Sequence, residues 1–79
     1  MTDTYRKPMP GDPVVLEEVP QGLLDGLPKE DQQAISEIVG KPIRLNKYDE
    51  DGRAELEFTD QLGVIHFIYV RPESLRPAG

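Results

Sequence analysis

The sequence predicts a mainly β small domain of about five strands, with one α-helix inserted between the first and second strands. Three observations carry that prediction. Apolar residues fall at helical spacing once, at Ala34, Ile35, Ile38 and Val39. From Lys41 onward the apolar period changes to two, with Ile43 and Leu45, then Ala54, Leu56 and Phe58, separated by polar residues. Two short stretches, YDEDG and TDQLG, end in glycine between these runs, as tight β-hairpins do.

At 79 residues the chain forms at most one small domain. Residues 1–11 hold Pro8, Pro10 and Gly11 among polar residues with no apolar period, and read as a flexible N-terminal tail. The domain is expected over 12–76, with 77–79 as a flexible C-terminus. Val14, Val15 and Leu16 mark a first strand from about Pro13 to Val19, closed by Pro20. QGLLDGLP reads as a loop. The helix is expected from Pro28 to Val39. Pro28 suits its first turn, Glu30 and Asp31 complement its positive end, and Gly40 follows its last turn. A third strand-like run, Val64 to Val70, is apolar almost throughout. RPESL then reads as a 3₁₀ turn leading into a last short strand.

Turn chemistry sets which side chains face inward, because a slip of one residue moves every side chain to the other face. A two-residue loop at Asp51-Gly52 places Glu50 opposite Arg53, Leu45 opposite Phe58 and Ile43 opposite Asp60. A three-residue loop sets Arg44 opposite Phe58, so the two-residue reading is preferred. In the second hairpin, a type I turn with Gly63 as a bulge pairs Phe58 with His66, Leu56 with Ile68 and Ala54 with Val70. That register turns Ile65, Phe67 and Tyr69 to the other face, whereas a two- or four-residue loop would bury them. The bulge is preferred because Gly63 sits where it demands a positive φ. Either the helix at 28–39 packs over Ile65, Phe67 and Tyr69, or their strand is central and covered on both sides, or they form an open strip for a protein partner.

Composition excludes several functions. Without cysteine the chain has no disulfides, no thiolate catalysis and no iron–sulfur or ordinary structural zinc site. No apolar run approaches the roughly 18–20 residues of a membrane-spanning helix, and the N-terminus lacks a secretory apolar stretch. Fifteen acids against nine Lys and Arg give a net charge of −6, which argues against general nucleic-acid binding. The charge is uneven. Residues 1–40 carry three bases and eight acids, and 41–79 carry six and seven. Lys41, Arg44 and Lys47 make one strand locally basic, the candidate surface for a weak RNA or ribosome contact.

Other chemistry finds little support. Asp49-Glu50-Asp51-Gly52 placed in a calcium loop leaves Lys47 and Phe58 in the end ligand positions, so it reads as a solvated turn. His66 is the only histidine, lacks a second ligand of its kind, and reads as a packed histidine bonded to backbone. Ser36 and Ser74 have no base in the pattern, and Glu55 and Glu57 read as solubilising charges beside Arg53. No glycine-rich phosphate loop is present.

The runs Gly-Asp-Pro-Val-Val-Leu at 11–16, Gly-Lys-Pro-Ile-Arg-Leu at 40–45, Gly-Arg-Ala-Glu-Leu-Glu-Phe at 52–58 and Val-Arg-Pro-Glu-Ser-Leu at 70–75 resemble the small barrel of Src-homology-3-like domains. Similar runs occur in bacterial barrels of unknown function and in small barrel subunits of photosynthetic electron-transfer complexes. The resemblance spans about 11–76 and implies a fold, not a chemistry. The peptide-binding members share an aromatic groove built around a tryptophan, which this chain lacks.

The expected function is therefore non-enzymatic: a cytoplasmic interaction module or accessory subunit, without cofactor or metal, monomeric or weakly homodimeric. Its expected docking surface is Ile65, Phe67 and Tyr69, with Tyr48 nearby and Arg44, Arg53 and Arg71 as rim charges. The alternatives are RNA contact through Lys41, Arg44 and Lys47, or a small regulator or immunity-type protein.

Overall fold

The computed structural model describes residues 7–78. Five antiparallel strands form one sheet: β1 (Pro13–Leu16), β2 (Pro42–Tyr48), β3 (Ala54–Thr59), β4 (Ile65–Val70) and β5 (Leu75–Pro77). Helix α1 (Lys29–Ile38) lies between β1 and β2, and one 3₁₀ turn (Pro72–Ser74) precedes β5. The strand order is β4-β3-β2-β1-β5. β4 and β5 are thus the two edges, and the sheet is not closed into a hydrogen-bonded barrel.

The inner face follows the apolar alternation. Val14 and Leu16 of β1, Ile43 and Leu45 of β2, Ala54, Leu56 and Phe58 of β3, and Ile68 and Val70 of β4 are buried together with Leu75. Helix α1 adds Ala34 and Ile35 to this core, and the loop between β1 and α1 lays Val19, Leu23, Leu24 and Leu27 against it. Burying a Leu or Ile of this kind contributes about 1.5–3 kcal/mol each, which is what a domain of this size depends on. The backbone N–H of Gly40, just past the helix, donates to Leu16 O at 3.0 Å and ties the start of β2 to β1.

The second hairpin has the register that Gly63 predicts. Phe58 pairs with His66, Leu56 with Ile68 and Ala54 with Val70. Gly63 has φ +85°, and its N–H donates to Asp60 O at 3.0 Å.

The first hairpin corrects the expected register. Asp49 N donates to Arg53 O at 2.8 Å, so Glu50, Asp51 and Gly52 form a three-residue loop. Its cause is the Asp49 carboxylate, which accepts from the N–H of Asp51 at 2.9 Å and of Arg53 at 2.8 Å, and from Arg53 Nε at 3.0 Å. That side chain satisfies donors a two-residue turn would leave to solvent. The extra residue alone would invert the faces, but a bulge between Leu45 and Lys47 absorbs it. Leu45 consequently pairs with Leu56 instead of Phe58, and Arg44 pairs with Glu57. Leu45 and Tyr48 both face inward as a result, despite their odd spacing.

Residues 1–6 and 79 lie outside the described residues. The rest of the segment expected as a tail makes specific contacts. Pro8 is buried, its carbonyl accepts from the Tyr48 hydroxyl at 2.6 Å, and Gly11 N donates to Leu45 O at 2.7 Å. The first strand stops at Leu16, short of the expected Val19, and at the other end β5 continues through Pro77.

Candidate functional site

With α1 packed on the inner face, the outer face of β2, β3 and β4 is open. Along β4 it carries Ile65, Phe67 and Tyr69, which are 54%, 54% and 42% exposed. They are not covered by the helix. Large apolar side chains in a row at the surface are unusual for a monomer and mark contact surfaces. The register aligns them with polar neighbours: Phe67 lies opposite Glu57, which lies opposite Arg44, and Tyr69 lies opposite Glu55, which lies opposite Lys47.

A hydrogen-bond network fixes this face. The Tyr69 hydroxyl donates to Glu55 Oε1 at 2.7 Å. Asn46, the bulge residue, donates from Nδ2 to Glu55 Oε2 at 3.1 Å and to Glu57 Oε1 at 3.0 Å. Lys47 Nζ stands 4.0 Å from Glu55. The Tyr69 hydroxyl, helped by Asn46 and the Lys47 charge against some desolvation, holds the Glu55 carboxyl below its ordinary range. The same bond to Glu55 raises the Tyr69 hydroxyl above its own.

The basic residues divide between two places. Arg53 lies over the Tyr69 ring at 5.8 Å, and both line a cleft of about 460 Å³ with Arg71 and the Gly22-Leu23 loop. Arg44 and Lys41 instead line a cleft of about 420 Å³ between α1 and β2, where Glu37, Glu57 and Asp60 stand among them. With Lys47 beside Glu55, each residue of the expected RNA-contacting trio has acids for neighbours. Tyr48 is not part of the strip. It packs inward against the core, bonded to Pro8, with Lys7 Nζ 4.1 Å from its ring centroid.

His66 occupies a second polar cluster, on the inner face. Its Nε2 is 2.8 Å from Asp60 Oδ2, its Nδ1 is 3.6 Å from Asp31 Oδ1 on α1, and its ring stacks on Phe58 at 5.2 Å. Its partners are carboxylates, where the sequence suggested backbone. Asp60 also accepts from the N–H groups of Leu62 at 2.8 Å and Val64 at 3.0 Å. The bond from His66, then the one from Val64, holds its carboxyl below the ordinary range. The role of Asp60 is signalled only weakly in sequence, as the second residue of the TDQLG stretch. Asp31 comes from a helix more than thirty positions away and leaves no local trace.

Among the described residues, no group of three or more His, Asp or Glu is placed to hold a metal ion, and no helix is long and apolar enough to cross a membrane. No known protein family, curated protein or solved structure matches the chain.

Proposed function

We propose that this protein is a non-enzymatic docking module or accessory subunit, working in the cytoplasm, that binds a protein partner through Ile65, Phe67 and Tyr69. Arg53 and Arg71 flank the tyrosine end, and Arg44 lies two strands from Phe67. The observation that carries this reading is the exposure of three large apolar side chains in one row. Their neighbours are held in fixed positions by the bonds among Tyr69, Glu55 and Asn46. A preorganised aromatic face loses little conformational freedom on binding. We read the architecture as a small barrel of the Src-homology-3-like type. Its support is the β4-β3-β2-β1-β5 order, the segment inserted after β1 and the 3₁₀ turn before β5.

The test is a tagged pull-down from native lysate, run beside a Phe67→Ser/Tyr69→Ser variant checked for folding. One protein retained by the wild type and lost by the variant supports the docking face. Proteins retained equally by both would sink it. Ribosomal proteins or RNA held by both would move the function to Lys41, Arg44 and Lys47.

A further inference from the structure

The two edges of the sheet are built differently. β5 is three residues long and ends in Pro77, which has no N–H to offer a neighbour. Short edges with proline resist further pairing. β4 has six residues, and the run 64–70 contains no Lys, Arg, Asp, Glu, Pro or Gly. It lacks the features that ordinarily blunt an edge.

Its backbone groups can be assigned from the ladder. Asp60 N donates to Val64 O at 2.9 Å, which makes that pair a hydrogen-bonded one. Such pairs recur at every second residue of an antiparallel ladder. His66, Ile68 and Val70 therefore spend their N–H and C=O groups on β3. Ile65, Phe67 and Tyr69 turn theirs to the side where the strand order ends. The residues with exposed side chains are thus the ones with outward backbone donors and acceptors.

We infer that β4 pairs antiparallel with β4 of a second copy of this chain, with Phe67 opposite its own copy and Ile65 opposite Tyr69. This rests on the docking reading above and names its occupant. The register is the twofold one that engages all three outward residues, each donating and accepting across the seam. It joins the two strips into one apolar band with Phe67 at its centre. Because 64–70 holds no acid, Lys or Arg, no like charges meet along the strand. The same register sets exposed Arg71 against Gly63 of the other copy, beside the hairpin that carries Asp60, so opposite charges approach at both ends. A strand edge buries less than the roughly 800 Å² per partner of a standard interface, so the dimer is weak and depends on concentration.

Sedimentation equilibrium of the intact chain, across a concentration series reaching the millimolar range, tests this directly. The mass should rise from 8.9 kDa towards twice that value. Phe67→Arg, and independently Ile65→Lys in case one variant misfolds, should hold it at the monomer. Met9→Arg, at an exposed position before β1 and far from the β4 edge, should leave association unchanged. Register is read by single cysteines in this cysteine-free chain, using a short bifunctional maleimide. Phe67→Cys should cross-link to itself, whereas Ile65→Cys and Tyr69→Cys should cross-link best when mixed. A mass of one chain throughout, or a dimer that persists in both charged variants, would overturn the second-copy assignment. If the chain stays monomeric yet loses a captured protein on Phe67→Ser/Tyr69→Ser, β4 remains a docking strand with a different occupant. If it stays monomeric and loses nothing, both readings fail.

Discussion

Tyr69 and Glu55 face each other across the β3–β4 ladder, and the tyrosine hydroxyl donates to Glu55 Oε1 at 2.7 Å. The bond gives an exposed ring one fixed position on the docking face. Phe67, its neighbour on that face, has no polar group with which to do the same.

The bond has a measurable electrostatic consequence. It is the largest influence lowering the Glu55 carboxyl from an ordinary value near 4.5. A carboxyl lowered in the fold contributes stability above its unfolded value, and that contribution disappears as pH falls through the lowered one. Tyr69→Phe should therefore move the Glu55 titration upward, short of its ordinary value because Asn46 still donates. The variant should be slightly less stable at neutral pH, with the difference vanishing at acid pH. Carboxyl carbon shifts followed through an acid titration report this, and an unmoved Glu55 would exclude the bond in solution.

Gly63 decides which face of β4 is outside. At φ +85°, a side chain there strains the backbone, while nothing lies within 4 Å of where its Cβ would sit. The cost of Gly63→Ala is therefore conformational, about 1 kcal/mol, and Gly63→Asn should cost less because asparagine tolerates this region better. Urea unfolding of the three proteins checks the order. An alanine variant as stable as the wild type would mean that the turn is not built around this glycine.

That same glycine explains why half the sheet could be read from sequence. A positive φ has few residues to satisfy it, so Gly63 fixed the β3–β4 register and with it the outward placing of Ile65, Phe67 and Tyr69. The first hairpin offered Asp-Gly too, yet Asp49 reached the N–H groups of Asp51 and Arg53 and enlarged the loop. The compensating bulge falls at Asn46, whose amide bridges Glu55 and Glu57. Nothing in a period-two pattern announces a side chain that competes with the backbone for donors. Contacts across long separations were illegible for a different reason. Pro8 meets Tyr48, and Asp31 meets His66, only because the fold closes around them.

The pairing of His66 with Asp60 should set the acid limit of the fold. Asp60 Oδ2 is 2.8 Å from His66 Nε2, and Oδ1 accepts from Leu62 and Val64, so one carboxylate ties the turn to the core histidine. The bond from His66 leads the influences that lower this carboxyl from an ordinary value near 3.8. Stability from the ionised group is then complete above that value and is lost as pH drops through the lowered folded one. Asp60→Asn keeps an acceptor for the turn but cannot ionise. It should be less stable than wild type at neutral pH, and its loss of stability on acidification should be shallower, so that the two curves converge towards the bottom of the carboxylate range. Thermal unfolding from neutral pH to about pH 2.5 measures both limbs. Parallel curves, with the difference unchanged at low pH, would show that the charge on Asp60 contributes nothing and that the turn is held by geometry alone.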